Sequence, residues 1–399
     1  MESLRSLLNQ LVIAEEFNTD YNKEFTREFA VSETVRVKLP QRFLIRDGIG
    51  YSPQPINRIY TTVACDQIFG VDFEWDSVEA ALKAERGMEL IKAEYIDKAM
   101  EQIAQEIDSR AALWARNNTN NVVGILGTAP TNMDISQAAR QRLIENACPP
   151  GPRRMIVSPA TMSGIVNGTR TTFNPQDEIA MAFKEGYYGR AAGFDWFESM
   201  SLYSQTSGVR AGAVTINGGG QSGSNILINA TAGDTFFQGE KFNIDLVYNA
   251  NPKTRRSTGV FKQFVITQDY VALGTAADNL NISPGITGPG SQYQNVDSLP
   301  ADTAALTFWP GTTAPSTGPK SGVVGFALHR DAFAMVGVKL ETPKAVEISS
   351  QTRDPKTGIS VRFVRMFDPQ QSKMINRFDV LLGFGNLYAD QCAVAIASS

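Results

Sequence analysis

One long helical pattern constrains the fold of this chain more than any other feature. Between Ser77 and Arg116, apolar residues recur every three or four positions, and the opposite face carries pairs of opposite charge four residues apart. A continuous helix of that length would span about 60 Å at 1.5 Å per residue, although Gly87 could divide it. The apolar positions are Met88, Ile91, Tyr95, Ala99, Ile103, Ile107, Ala111 and Trp114. The pattern therefore predicts a single rod-like helix that is long enough to extend across a whole domain.

The segment before this helix has a period of two, which is typical of strands. Apolar and polar residues alternate from Phe29 to Leu39 and again from Ile59 to Trp75. A section rich in glycine and proline, Arg46 to Pro55, separates the two runs. We therefore predict a long β-hairpin whose tip is too polar and too broken for a core, and which lies either in solvent or on a neighbour.

The first residues carry a second helical pattern. Leu4, Leu7, Leu8, Leu11 and Val12 share one face, which predicts an amphipathic helix over residues 2–17. Two interpretations stay open. The helix is an arm that docks on another molecule, or it is an ordinary helix that packs on its own core.

The residue composition and the hydrophobic pattern of the sequence change twice after the long helix. Residues 122–206 mix short apolar strands with helical segments, which indicates a compact α/β lobe. From Thr206 to about Gly318 the chain is rich in small and polar residues with short alternating runs, which predicts an all-β insertion. Mixed texture returns from Val323, and hairpins are expected around residues 354–358 and 368–372.

Composition excludes several classes of protein. The chain has 399 residues, is 42% hydrophobic and carries a net charge of -4, so we expect two or three domains and no general binding of nucleic acid. Three widely spaced cysteines, Cys65, Cys148 and Cys392, argue against a disulfide framework and against a CxxC metal site. Glu2 argues against an export signal, and no run approaches the roughly 20 apolar residues that span a bilayer.

The sequence contains no recognisable catalytic, cofactor-binding or metal-binding motif. His329 is the only histidine, which excludes HExxH zinc sites, and no GxSxG element presents a serine. We interpret His329 as the polar start of a helix over residues 331–336. Gly218, Gly220 and Gly223 satisfy GxGxxG but lack the strand and helix that a dinucleotide site requires. We therefore expect a protein that acts through its surfaces and is not an enzyme.

One stretch resembles a known family. GEKFNIDLVYNANPKTRRSTGVFKQFVIT, residues 239–267, resembles the inserted domain of major coat proteins of short-tailed double-stranded DNA bacteriophages, in which a GDxFxI strand, an NPxTxxSTG turn and a QFVVT-like strand recur. The stretches Gly189–Ser199, Gly325–Pro343 and one near the end are similar to the same family and follow its order. The matching residues in the first stretch are Gly239, Phe242, Ile244, Asn251, Pro252, Thr254, Ser257, Thr258, Gly259, Gln263, Phe264, Val265 and Thr267.

The resemblance implies an α+β fold of the Hong Kong 97-like phage capsid type. It assigns residues 1–30 to an N-terminal arm, 31–75 to an extended loop, and 76–119 to the spine helix of a peripheral domain. Residues 120–206 and 319–345 would form the axial domain, 207–318 an inserted small all-β domain, and 346–399 peripheral strands and the C-terminus. Residues 1–75 match in layout only.

The function that the resemblance implies is a major capsid protein that self-assembles into an icosahedral shell. Expected partners are further copies of the chain in hexamers and pentamers, a scaffolding protein, a portal, a possible decoration protein, and enclosed double-stranded DNA bound without sequence specificity. No cofactor and no membrane are implied, and the expected location is the virion capsid, assembled in the cytoplasm of the host bacterium. Two alternatives stay open: a cellular encapsulating shell of the same fold, and a soluble enzyme or carbohydrate-binding protein with a β module.

Candidate contacts between subunits come from three places. They are Leu7 and Leu11 in the arm, Arg46, Asp47 and Tyr51 in the hairpin tip, and Lys253, Arg255 and Arg256 in the basic turn. For the basic turn, the sequence is compatible with a solvated loop, a structural role inside the inserted domain, or a contact between subunits.

Overall fold

The structure is a computed structural model, and its secondary structure is rich in strands. It describes residues 11–20, 34–39, 41–45, 48–51, 53–56, 59–76, 95–169, 189–275, 278–309, 319–343, 346, 348–354, 357–370 and 373–398. The helices are α1 (Asp97–Asn118), α2 (Asp134–Glu145), α3 (Pro159–Thr169) and α4 (Ala389–Cys392), with 3-10 turns at Ala14–Glu16 and Arg330–Ala332. The strands are β1 (Thr34–Lys38), β2 (Tyr60–Ala64), β3 (Gln67–Asp76), β4 (Val122–Gly124), β5 (Arg153–Val157), β6 (Arg190–Ala191), β7 (Phe194–Glu198), β8 (Ser204–Thr206), β9 (Thr215–Ile216), β10 (Gly223–Asn229), β11 (Thr235–Phe236), β12 (Lys241–Ala250), β13 (Ser257–Ile266), β14 (Tyr270–Val271), β15 (Asp278–Ile286), β16 (Leu306–Phe308), β17 (Ser321–His329), β18 (Phe333–Gly337), β19 (Ile348–Arg353), β20 (Ser360–Asp368), β21 (Lys373–Asn386) and β22 (Ala393–Ala397).

The chain divides into two compact units. The first comprises Met1–Leu39, Tyr60–Ala111 and Phe333–Leu387, and the second comprises Pro40–Ile59, Ala112–Ala332 and Tyr388–Ser399. None of the helices in the described ranges is both long enough and apolar enough to span a membrane.

The first unit is built on the long strand β21. This strand pairs antiparallel with β3, β18 and β20, and β19 extends the sheet from β20. Apolar residues of β20 and β21 form its core, and the rings of Phe363 and Phe378 lie 4.9 Å apart. The two C-terminal hairpins expected from the sequence are confirmed, because β19, β20 and β21 are consecutive antiparallel partners.

The hairpin expected before the long helix is confirmed in part. Strands β1 and β2 pair antiparallel from Thr34 with Ala64 to Lys38 with Tyr60. The alternating run that follows, β3, pairs with β21 and does not extend this hairpin. Alternation predicts a strand but not its partner.

A carboxylate of α1 organises the N-terminal segment of the first unit. Asp108 is buried and accepts hydrogen bonds from the backbone N–H groups of Val12 (2.8 Å), Ile13 (3.2 Å) and Ala14 (2.9 Å). The helix predicted over residues 2–17 is therefore wrong where the chain is described, since only the 3-10 turn Ala14–Glu16 forms there. The first N–H groups of a helical turn have no partner within the turn. Here the Asp108 carboxylate accepts the hydrogen bonds of the N–H groups of residues 12–14. Residues 1–10 lie outside the described residues.

The apolar side chains of the same segment are buried inside the first unit. Phe17 packs against Phe333 and Phe384, with ring centroids 5.3 Å and 5.9 Å away. Leu11 and Ile13 are also buried. Residues 11–18 thus follow the second interpretation of the arm, in which the segment packs on its own core.

The described part of the predicted long helix is α1, which ends at the expected asparagine pair, Asn117 and Asn118. Residues 77–94, with Gly87, lie outside the described residues.

The second unit contains a mixed sheet in the order β4-β22-β17-β5-β7-β6. Strand β17 is antiparallel to β22 and β5, whereas the β22–β4 and β5–β7 pairs are parallel. All five residues of β22 are buried, as expected for a strand covered on both faces. Residues 122–206, where an α/β lobe is expected, include β4, α2 and β5, and the sheet also contains β17 and β22 from distant parts of the chain. Residues 346–399, one segment in the sequence analysis, are therefore shared between two sheets.

The region where an all-β insertion is expected contains the strands β9 to β16, between residues 215 and 308. A six-stranded sheet, β16-β12-β13-β15-β10-β9, and the short pair β11–β14 enclose one apolar cluster. Four phenylalanines lie in that cluster: Phe236, Phe242, Phe264 and Phe308. The hairpin expected from residues 242–267 is formed by β12 and β13, with Lys241 opposite Val265.

The helix predicted over residues 331–336 is wrong. His329 ends β17, Arg330–Ala332 form a single 3-10 turn, and Phe333–Gly337 form β18, which pairs with the end of β21. All residues of β18 are buried. A short continuous apolar run has no period that separates a buried strand from a buried helix, so only the neighbouring strand decides.

Candidate subunit-contact surface

The segment between β1 and β2 is described at residues 41–45, 48–51 and 53–56, and none of these residues belongs to a helix or a strand. Its two sides are joined by Gln54, whose Oε1 accepts from the backbone N–H of Leu44 (2.7 Å) and whose Nε2 donates to the carbonyl oxygen of Leu44 (2.6 Å). Pro53 and Pro55 flank Gln54 and have no N–H to offer a strand ladder. The Gln54 side-chain amide therefore joins the two sides of the loop at Leu44 without a strand ladder in the described residues.

This loop exposes large apolar side chains. An isolated exposed apolar residue is ordinary, but several in one segment are typical of a surface that another molecule covers. The exposed fractions are 59% for Phe43, 90% for Ile45, 99% for Ile49, 91% for Tyr51 and 71% for Ile56.

The basic turn between β12 and β13 is shaped by Asn251. Its Oδ1 accepts from the backbone N–H of Lys253 (2.9 Å) and of Thr254 (3.2 Å), which is an Asx turn. The backbone N–H of Arg255 donates to the carbonyl oxygen of Asn251 at 2.7 Å. Arg255 has a positive φ of 56°, which the tight turn imposes on a residue that rarely adopts it.

The basic turn contacts the exposed loop within the second unit. Arg255 Nη2 donates to the carbonyl oxygen of Phe43 at 2.6 Å, and Gln292 Nε2 donates to the carbonyl oxygen of Pro55 at 3.2 Å. The Arg42 guanidinium lies 5.9 Å from the centre of the Tyr293 ring. The inserted β domain thus holds both sides of the base of the loop, while the apolar tip stays exposed.

The candidate contact residues divide into three groups. Leu7, Arg46 and Asp47 lie outside the described residues. Leu11 is buried within its own unit, and Tyr51 is exposed at the tip of the loop. Lys253 and Arg256 are exposed, whereas Arg255 is half-buried and bonded to Phe43. Arg255 therefore gives the basic turn a structural role within its own chain. The contact of the basic turn with another subunit stays a prediction.

One of the residues that carry the resemblance, Gln263, joins the hairpin to the α/β lobe. Its Oε1 accepts from the N–H of Val122 (2.9 Å), and its Nε2 donates to the carbonyl oxygen of Val122 (3.1 Å). Asn120 Nδ2 donates in turn to the carbonyl oxygen of Gln263 at 2.9 Å. A buried side-chain amide that satisfies a strand edge in both directions fixes the position of that strand.

A buried ion pair lies next to the root of the hairpin. Arg210 Nη2 donates to Glu240 Oε2 at 2.5 Å, and both side chains are buried. The Arg210 guanidinium also lies 3.6 Å from the centre of the Phe308 ring. Burial raises the pKa of Glu240, and Arg210 opposes that rise. Burial also lowers the pKa of the adjacent Lys241 to about 7.

Sequence reasoning missed the partners of the loop and a cluster of potential ligands. Phe43 and Gln292 carry no motif, and they contribute through a backbone oxygen and a surface amide. Cys148, His329 and Cys392 lie far apart in the chain, yet their ligand atoms all lie within 4.8 Å of one another. Spacing along the chain gave no signal for either feature.

Comparisons with known proteins place the fold. No protein-family model and no curated protein matches the sequence. Among solved structures, one from Mycobacterium phage Che8 is 13% identical, covers 98% of this chain and 93% of its own, and has a TM-score of 0.50. The capsid structure of cyanophage P-SCSP1u is 13% identical, with 98% and 88% covered and a TM-score of 0.47. The mature capsid of bacteriophage PhiM1 is 11% identical, with 96% and 88% covered and a TM-score of 0.43. The chain therefore shares a mixed, strand-rich α+β fold with the Mycobacterium phage Che8 structure.

Proposed function

We propose that this chain is the major capsid protein of a tailed double-stranded DNA phage and self-assembles into an icosahedral shell. The fold shared with a phage structure supports this function, as do the coat-protein motifs in residues 239–267. The observation that carries the proposal is the loop 41–56, which is held at its base and exposes five large apolar side chains.

The energetics of this loop favour association with further copies. Burying one such side chain contributes about 1.5–3 kcal/mol, so covering only two or three of them supplies a weak contact. A mM contact corresponds to about 4 kcal/mol, and several such contacts on one subunit reinforce each other through effective concentration. Weak individual contacts also let misplaced subunits leave the shell.

The segments take the roles that the coat-protein resemblance implies. Residues 1–30 are the arm, 31–75 the extended loop, 76–119 the spine helix, and 207–318 the inserted domain. Scaffolding protein, portal and a decoration protein are the expected partners in assembly, which takes place in the cytoplasm of the host. The net charge of -4 suits a wall around packaged DNA, because a strongly cationic lining would hold the phosphates. The protein works through its surfaces and is not an enzyme.

Negative-stain imaging of the expressed protein, with and without the products of neighbouring reading frames, tests this function. Uniform shells are the expected result. The double variant Ile49→Ser, Tyr51→Ser should fold but form few shells, whereas Met200→Ser removes an equally exposed apolar residue elsewhere and is the control. A wild-type protein that stays a single monodisperse molecule at high concentration under all these conditions contradicts the proposal.

A further inference from the structure

Three potential metal ligands meet in the core of the second unit. Cys148 follows α2, His329 is the last residue of β17, and Cys392 is the last residue of α4, directly before β22. All three side chains are buried, and their ligand atoms lie within 4.8 Å of one another. No other group of this kind occurs in the part of the chain that the structure describes.

The spacing of these atoms is close to that of a tetrahedral metal site. Zinc binds thiolate sulfur at about 2.3 Å and imidazole nitrogen at about 2.0–2.1 Å, so ligand atoms around one ion lie about 3.5–3.8 Å apart. The observed limit of 4.8 Å requires the three side chains to close by about 1 Å. Two thiolates and one imidazole are a ligand set that suits zinc, while hard cations such as magnesium prefer oxygen.

The imidazole is held in place by its surroundings. The backbone N–H of Asp331 donates to His329 Nδ1 at 3.3 Å, and Asp331 Oδ2 lies 3.6 Å from the same nitrogen. Gly151 lies beneath the other nitrogen, because a Cβ at that position would come within 2.6 Å of His329 Nε2. Because Nδ1 accepts this hydrogen bond, it carries no proton and has a lone pair to offer, and a zinc ion at Nδ1 would replace the Asp331 N–H.

We propose that Cys148, His329 and Cys392 bind one zinc ion, with the Asp331 carboxylate or a water at the fourth position. The ion would link the segment after α2 to the end of β17 and to the start of β22. These elements come from distant parts of the chain, so the site would fasten the C-terminal strand into its sheet. Binding to the folded chain alone would stabilise it in proportion to the logarithm of zinc concentration.

Metal analysis of the full-length reduced protein tests this site. We expect one zinc per chain, and after zinc removal we expect cobalt(II) to give the sulfur-to-metal charge-transfer band of thiolate ligation. The unfolding temperature should rise with added zinc. The variants Cys148→Ser, His329→Gln and Cys392→Ser should lose the stoichiometric ion. Cys65→Ser changes a buried cysteine of the first unit and should keep it.

Measurements on the wild type keep the test decisive if a ligand variant fails to fold. Reduced, folded protein that binds neither zinc nor cobalt overturns the proposal. Failure of shell assembly leaves this result untouched, since zinc binding is measured on the single chain.

Discussion

The Arg255 guanidinium donates a hydrogen bond from Nη2 to the carbonyl oxygen of Phe43 over 2.6 Å, which joins the turn between β12 and β13 to the loop that follows β1. The basic turn has three cations in a mildly acidic chain, and this contact explains the presence of only one of them, Arg255. Arg255 supports the loop, while Lys253 and Arg256 point their charges to solvent. The turn between β12 and β13 therefore holds the base of the loop, and the apolar side chains at the tip of the loop are exposed to solvent.

Replacing Arg255 should loosen the loop more than it destabilises the fold. Arg255→Ala removes a hydrogen bond worth about 1 kcal/mol, so we expect a small change in unfolding free energy but faster proteolysis within residues 41–56. Lys253→Ala removes an exposed cation of the same turn and is the control. The triple change of Lys253, Arg255 and Arg256 to alanine should impair assembly before folding. A triple variant that cannot fold as a monomer rules out the contact between subunits.

Asp108 should hold residues 12–14 in place. Asp108→Asn weakens three backbone hydrogen bonds to a buried carboxylate, and we expect a loss of about 1.5–3 kcal/mol in unfolding free energy. Hydrogen exchange at residues 12–14 should quicken while exchange in β21 stays slow. Glu106→Gln breaks only an exposed pair with Arg110 and should leave both measurements unchanged. Equal exchange at residues 12–14 in both variants would remove Asp108 as the anchor.

Breaking the buried ion pair should cost far more than breaking an exposed one. Arg210→Met leaves the Glu240 carboxylate buried without its cation, and urea unfolding should show a loss of about 3–5 kcal/mol. The double variant Arg210→Met, Glu240→Leu should recover part of this loss. As a control, Arg190→Met removes an exposed partner of Asp195 and should cost less than about 1 kcal/mol. A double variant as unstable as the single one contradicts this account.

Two glycines with similar backbone angles should respond differently to alanine. Gly124 (φ 88°) and Gly233 (φ 90°) both lie in the left-handed region, where alanine costs about 1–2 kcal/mol. A Cβ on Gly124 would come within 2.4 Å of the carbonyl oxygen of Ala397, while one on Gly233 meets nothing within 4 Å. Thermal unfolding should therefore show about 1–3 kcal/mol of extra loss for Gly124→Ala. Equal losses would mean that β22 can shift away from β4.

The pH dependence of stability should carry the signature of Lys241. Burial lowers its pKa to about 7 from 10.5, so above pH 7 the unfolded chain binds more protons than the folded chain. Unfolding free energy should therefore rise with pH between about 7 and 9, by at most about 1.4 kcal/mol per pH unit for this group. Lys241→Met should reduce that slope, whereas Lys320→Met removes an exposed lysine and should preserve it. An unchanged slope in Lys241→Met contradicts the assignment.

Local pattern was a good guide to element type where the pattern was long. The alternation and the turn residues between Phe242 and Thr267 predicted a hairpin, and β12 and β13 form it. Helical spacing predicted α2 and the described half of the long helix. The helical pattern gave a wrong prediction over residues 11–17, where the backbone donates hydrogen bonds to the Asp108 carboxylate of α1. It was also wrong over residues 331–336, where the backbone pairs with strand β21. Neither competitor is visible within the local window.

The β12–β13 hairpin, the helix α2 and the basic turn follow from the sequence by itself, because they depend on periodicity and on turn residues within a short window. The tertiary structure alone decided that β22 enters the sheet beside β17, that Arg255 reaches Phe43, and that Cys148, His329 and Cys392 converge. Each of these requires residues distant along the chain to become neighbours in space, and burial of apolar surface selects such neighbours only when the whole chain folds.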